Sequence, residues 1–209
     1  PIGNSRVKLT NADDCVKNGY IKDGEDPLKI AADQLIKDNI TILHTIGGDD
    51  TNTAAGNLVR YLSKNGYNLT VVGLPKTVDN DLPITDSCPG FGSVAKYVAV
   101  SIKEAAFDVK SMAETSTKVF VMEVMGRHAG WIAAASGLAA EHEGDAPHII
   151  LFPEIAFNQK LFLRRVKKCV QRYGFCVICV SEGARFADGR FIAEEGGTDA
   201  FGHAQLGGV

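Results

Sequence analysis

Between Thr41 and Asp81 the chain twice runs through a short apolar stretch into a turn that is broken by glycine or proline and carries carboxylates. No other feature constrains the fold as strongly. Thr41-Ile42-Leu43-His44-Thr45-Ile46 reads as a buried strand, Gly47-Gly48-Asp49-Asp50-Thr51 as the turn after it, and Ala54 to Lys64 as a helix. Leu69 to Leu74 is the second strand, closed by Pro75-Lys76-Thr77-Val78-Asp79-Asn80-Asp81. Successive parallel strands of an open α/β sheet place the loops after their carboxyl ends side by side. The two turns are therefore expected to line one crevice, the candidate active site.

Glycine lets a backbone come close to a ligand, and the N–H groups at a following helix N-terminus suit phosphate. Asp49 and Asp50 in the same turn would repel a phosphate unless a divalent cation sat between, and Mg²⁺ prefers one or two carboxylates plus phosphate oxygens. The alternative is that Asp50 or Thr51 merely caps the helix. The second turn holds Lys76 together with two more carboxylates, Asp79 and Asp81, a composition suited to phosphoryl transfer. As a plain turn residue, Asp79 would make an Asx-turn.

Helix and strand alternate through the rest of the chain. Residues 1–27 read as a loop with room for one helical turn, and Asp26-Pro27 opens a helix whose apolar face is Leu28, Ala31, Ala32, Leu35 and Ile36. Cys88-Pro89-Gly90 marks a break. A long helix follows from Phe91 to about Thr115, with Val94, Tyr97, Val98, Ser101, Ile102, Ala105 and Ala106 on one side. Val119 to Val124 reads as another buried strand running into Met125-Gly126-Arg127, then Ile132 to Glu141 as a helix, His148 to Phe152 as a strand, Leu161 to Tyr173 as a helix and Phe175 to Val180 as a strand. Gly183 to Gly197 is loop-rich. The expectation is an α/β protein of two Rossmann-like lobes with mostly parallel sheets, divided at Gly90.

Several function classes recede on composition. A net charge of -3 without a long basic run argues against nucleic acid, and no apolar run reaches a membrane span or resembles a signal peptide. Five cysteines, an odd number in a chain with ample core material, favour reduced thiols and a cytosolic setting. Cys176 and Cys179 have C-x-x-C spacing, but on a strand they point to opposite faces and cannot grip one metal. They are expected in the core. No Gly-x-Gly-x-x-Gly turn follows a strand, which argues against a dinucleotide-binding oxidoreductase.

The Gly47-Gly48-Asp49-Asp50-Thr51 turn, the Pro75-to-Asp81 turn and Met125-Gly126-Arg127, in that order, resemble the phosphofructokinase family. The resemblance runs from Gly3-Asn4-Ser5-Arg6 to His203-Ala204-Gln205-Leu206-Gly207-Gly208 and covers the middle of the family's subunit. It implies a donor and metal lobe over residues 1–90, a sugar-phosphate lobe over 91–200, and a return toward the first lobe at 201–209. It further implies Mg²⁺ at Asp49, donor contacts from Arg6, Gly48 and Asp50, and Asp79 as the base for the C1 hydroxyl of fructose 6-phosphate. Arg127 and Lys76 would act on the moving and leaving phosphates, and Thr77, Asp81, Met125, Gly126, Glu182 and His203 on the sugar phosphate. His128 and Trp131 are expected to pack instead.

The ATP-using bacterial members carry glycine where this chain has Asp50 and Lys76, which points to pyrophosphate as donor. The resemblance also implies a cytoplasmic homo-oligomer. An ATP-dependent member and a catalytically silent regulatory subunit stay open as alternatives. Lys118 stands where ATP-using bacterial enzymes place an arginine that reaches a neighbouring subunit's sugar phosphate, and Leu206 where many members have arginine.

Overall fold

In the computed structural model, which describes residues 7–198 and 204–208, the chain first turns helical at α1 (Ala12–Lys17), where Asn11 accepts the Asp14 N–H at 3.1 Å. Asp26 caps α2 (Pro27–Lys37) by accepting the Leu28 N–H at 2.9 Å, and Pro27 occupies the first turn, where its missing N–H has no intrahelical partner to lose. β1 (Ile42–Gly47), α3 (Asp49–Lys64) and β2 (Thr70–Pro75) then form a strand-helix-strand unit with the strands parallel and in register from Ile42↔Thr70 to Gly47↔Pro75.

α3 begins at Asp49, earlier than the expected Ala54. Its N-cap is the extended Gly48 and neither Asp50 nor Thr51, so both aspartates sit in the first turn, where the helix dipole favours negative charge. The burial expected of β1 is not found. Leu43 packs against Ala32, Leu58 and Leu62, while Ile42 and Ile46 on the other face are 59% and 53% exposed. This sheet has two strands, and α2 and α3 cover the face that Leu43 presents.

Contacts divide the chain into a unit ending at Lys76 and another beginning at Thr77, ahead of the break expected at Gly90. Val78 packs against the second unit's core and the Asn80 side chain bonds to Cys88, so residues 77–90 belong to the second unit.

The second unit is built on a parallel sheet in the order β3 (Val119–Val124), β5 (Cys176–Ser181), β4 (Ile149–Leu151). β5 is central and buried along its whole length. Val177 and Cys179 face the cluster built with Val98, Ile102, Ala106 and Val109 of α4 (Phe91–Met112). Cys176 and Ile178 face Cys169 of α6 (Gln159–Tyr173). The two C-x-x-C thiols thus point to opposite sides of the sheet, as strand geometry requires. Burying Ile132, Ile178 and Ile102 fully is worth roughly 1.5–3 kcal/mol each.

Three expectations shift in this unit. β3 is alternately covered and open, since Phe120 and Met122 pack on the core while Val119 and Val121 face outward. Tyr97 is 71% exposed and so lies off the buried stripe of α4. α5 (Trp131–Ala135) tightens into a 3-10 turn over Ser136–Ala139 and stops short of Glu141. There the Ser136 hydroxyl donates to the Ala133 carbonyl at 2.6 Å, competing with the helix's own bonding. The glycine-rich end contributes a short antiparallel pair, β6 (Glu194–Thr198) with β7 (Ala204–Leu206). No helix among the described residues is long and apolar enough to cross a membrane.

Candidate active site

In the first unit the β1–β2 ladder continues one step past its last pair, because the Lys76 N–H donates to the Gly47 carbonyl at 2.9 Å. Lys76 therefore leaves the sheet beside Gly47. Gly47 cannot carry a side chain, since a Cβ would lie 2.1 Å from Thr51 Oγ1. The Asn52 amide donates to the carbonyls of Gly47 at 3.2 Å and Gly48 at 2.8 Å, which fixes the turn that presents Asp49 and Asp50. Sequence reading passes over Asn52, although a polar residue in a helix's first turns after a glycine pair is the available signal. Asp50 is exposed and ion-paired with Lys8 at 3.4 Å. Asp49 is exposed and has no ion pair among the described residues. Lys76 is exposed.

In the second unit Thr77, not Asp79, makes the turn bond: its Oγ1 accepts the Asp79 N–H at 3.3 Å. Asn80 is buried with φ 55°, a left-handed conformation that asparagine tolerates. Its amide donates to the Asp86 carbonyl at 3.2 Å and its Oδ1 accepts the Cys88 N–H at 2.8 Å. The loop is locked around its neighbour Asp79. Asp79 Oδ1 is buried and has no hydrogen-bond partner among the described residues. Burial pushes the Asp79 carboxyl up, and the nearby carboxylates of Asp81 and Glu182 push it further, while Arg127 and His128 pull the other way.

The carboxyl ends of β3 and β5 lie level, with Val124 opposite Ser181 and the Glu182 N–H donating to the Val124 carbonyl at 2.9 Å. This brings Met125-Gly126-Arg127 against Glu182 and Gly183. Gly126 has φ 121°, and a Cβ there would meet the Ala129 carbonyl at 2.4 Å. A Cβ on Gly183 would lie 2.0 Å from the Arg127 carbonyl oxygen, so the backbones touch. Glu154 Oε1 accepts the Gly130 N–H at 2.8 Å and steadies the far end of the loop. His128 is exposed and Trp131 is 55% exposed, so neither packs within the chain as expected, and the charge of His128 acts on Asp79.

Gly183→Ala should cost about 1–3 kcal/mol in urea unfolding, because the methyl has backbone and no flexible side chain in its way. Unchanged stability would mean the two turns are less closely packed than this.

Lys118 is engaged at the end of α4, where its Nζ donates to the Ala113 carbonyl. Leu206 lies in β7. Arg6 and His203 lie outside the described residues.

A second cluster of metal-type side chains lies elsewhere in this unit. The ligating atoms of His148, Cys169 and Cys176 are within 4.8 Å of one another. His148 Nδ1 accepts the Val177 N–H at 3.0 Å, so the neutral ring carries its proton on Nε2 and neither nitrogen has a lone pair to give a metal. Burial raises both thiols, Cys176 to about 12. These are core groups.

The phosphofructokinase family model matches residues 6–209. A pyrophosphate--fructose 6-phosphate 1-phosphotransferase of Halomonas elongata is 60% identical over 163 residues, covering 78% of this chain and 39% of that protein. The protein of the same name from Methylomonas methanica is 42% identical over an alignment that covers 100% of this chain and 55% of its own length. Among solved structures, a pyrophosphate-dependent phosphofructokinase from Marinobacter aquaeolei superposes with a TM-score of 0.70 at 54% identity, over 77% of this chain and 41% of that one. The chain thus spans about 40–55% of the length of these proteins.

Proposed function

The chain belongs to the phosphofructokinase family, and from that premise we propose that the complete polypeptide transfers a phosphoryl group from pyrophosphate to the C1 hydroxyl of fructose 6-phosphate, giving fructose 1,6-bisphosphate and phosphate. The observation that carries this reading is the state of Asp79: held by a locked loop, pushed up by burial, and with one buried carboxylate oxygen unpartnered. A carboxylate in that condition is suited to take a proton from a hydroxyl that binds beside it.

Asp79 is the base in this proposal, and Asp81 supports it. Thr77, Met125, Gly126, Glu182 and His203 receive the sugar phosphate. Arg127 directs an always-charged fork at the transferred phosphoryl, and Lys76 places positive charge near the leaving phosphate. Arg6, Gly48 and Asp50 border the donor. Asp49 offers a hard oxygen, exposed and outside any ion pair among the described residues, which fits a divalent cation that keeps waters and phosphate oxygens as its other ligands. We assign Mg²⁺, which when bound supplies neutralising charge to the phosphates. The division into a donor lobe over 1–90, a sugar-phosphate lobe over 91–200 and a return segment at 201–209 belongs to the same proposal. So does a cytoplasmic homo-oligomer, in keeping with five free, buried thiols.

A coupled assay of the complete polypeptide, with fructose 6-phosphate and either pyrophosphate or ATP, tests the reading. Turnover with pyrophosphate is expected. Turnover with ATP alone overturns the donor, and none with either overturns the reaction in favour of a silent subunit. Arg127→Ala should lower turnover by at least about tenfold while the metal concentration for half-maximal rate stays near its original value. A metal defect with normal turnover would contradict the role of Arg127.

A further inference from the structure

We infer that Ser181 is a positioning residue, whose hydroxyl clasps the turn after β3 to the turn after β5 and so fixes Arg127 and Glu182 against each other. The inference rests on the proposed reaction only for the ligand those turns receive. Ser181 is 0% exposed. Its Oγ donates to the Gly126 carbonyl at 2.5 Å and accepts the Gly183 N–H at 3.2 Å. One hydroxyl thereby serves a peptide group in each turn, next in sequence to Arg127 on one side and to Glu182 on the other.

The sheet does not need this arrangement. β3 and β5 are already paired up to Val124 and Ser181, and the Glu182 N–H extends the ladder to the Val124 carbonyl. The chains diverge beyond that point, and the Gly126 carbonyl and Gly183 N–H have no backbone partner among the described residues. A hydroxyl suits the place because it donates and accepts at once, which an alanine cannot do and a thiol does weakly. Both clasped residues are glycines. Gly183 lies so close to the Arg127 backbone that a Cβ would sit 2.0 Å from its carbonyl oxygen, so the turns have no slack in which to re-form the contact another way.

The consequence is electrostatic as well as steric. Glu182 and Arg127 act with opposite sign on the Asp79 carboxyl, together with Asp81 and His128. A change in the spacing of the two turns alters that balance and the seat of the sugar at the same time. A donor contact at Gly48 or Asp50, which lie after β1, is not attached to Ser181.

The test uses the complete polypeptide with Ser181→Ala and Ser181→Thr. Ala is expected to lower kcat/KM for fructose 6-phosphate roughly ten- to a hundredfold through misplacement of the turns, with KM for pyrophosphate within about twofold of the original. Amide exchange at Gly183 should accelerate, and Thr, which keeps the hydroxyl, should recover both. Unchanged kcat and KM for fructose 6-phosphate in Ser181→Ala, even with a lower unfolding midpoint, would overturn the positioning role and leave Ser181 a fold residue. Should the original protein form no fructose 1,6-bisphosphate, the proposed reaction fails by itself and exchange at Gly183 decides the clasp: acceleration in Ala with recovery in Thr supports it, equal rates overturn it. If Ser181→Ala does not fold, Ser181→Cys, similar in shape and weak in hydrogen bonding, is read by the same criteria.

Discussion

If the proposed reaction holds, Asp79→Ala in the complete polypeptide is expected to lower turnover by about 10²- to 10⁴-fold, the range for loss of a positioned general base, with binding of fructose 6-phosphate retained. Binding is expected to survive because the proposed sugar contacts at Glu182, Met125 and Gly126 rest on the β3 and β5 turns, which are held by the Ser181 hydroxyl through Gly126 and Gly183 and not by Asp79. In the proposed reading Asp81 is a poor substitute for the base, since its carboxylate is exposed.

The pH dependence of the same residue gives a second readout. Burial, followed by repulsion from Asp81 and Glu182, places the Asp79 carboxyl above the ordinary aspartate value of 3.8. A base must be ionised to act, so in the proposed reading turnover is expected to decline on the acid side at a higher pH than an ordinary aspartate would give. The sign for stability is opposite to that of an ion-paired aspartate. The folded protein holds the proton more tightly than the unfolded chain, so Asp79 destabilises the fold above its folded-state pKa, and this cost disappears as pH falls below the unfolded value. Asp79→Ala should therefore be the more stable protein at neutral pH, with the difference shrinking on acidification. Near-original turnover in this variant, or an acid limb at the ordinary aspartate position, would end the assignment.

The alternation of elements was legible because each strand and helix is a local pattern. β3 is placed to the residue and α6 to within two, as the apolar run Val119 to Val124 and the helical pattern of Leu161 to Tyr173 are each local signals. Burial was less legible: an apolar run specifies a strand but not how many layers cover it, so β1 and β3 look like fully buried strands and are open on one face. The acidic turn residues were readable because their composition is anomalous for a plain turn. Their supporting residues were not. Ser181 meets Gly126 across 55 positions, and its identity at the end of an apolar strand reads only as a stop. Asn80 and Asn52 sit in the turns themselves, yet their partners depend on how the loop folds back. His128 was misjudged for a similar reason, since a lone histidine beside a tryptophan looks like packing until the position of Asp79 is known.

Asp50→Gly is expected to admit ATP, changing the ratio of kcat/KM for ATP to that for pyrophosphate by about a hundredfold or more. In the proposed reading its carboxylate stands where the α-phosphate of a nucleotide would pass, and repels it; pyrophosphate ends before that point. The fold should tolerate the change. The only ion pair of Asp50 among the described residues is with Lys8, at 3.4 Å and with the Asp50 side chain 60% exposed, so it contributes well under about 1 kcal/mol. Glycine in the first turn of α3 costs about 1 kcal/mol more at most. The turn itself is held by Asn52 through the carbonyls of Gly47 and Gly48, which the substitution leaves in place. Adding Lys76→Gly should then weaken use of pyrophosphate, by removing the cation assigned to the leaving phosphate. The two effects are not expected to add simply, because the Lys76 N–H is bonded to the Gly47 carbonyl and the two turns share one backbone junction. The measurement is the full set of four proteins, each assayed with both donors. Preference for ATP in the original protein, or complete exclusion of ATP after Asp50→Gly, would remove Asp50 as the residue that selects the donor and leave the rest of the site assignment standing.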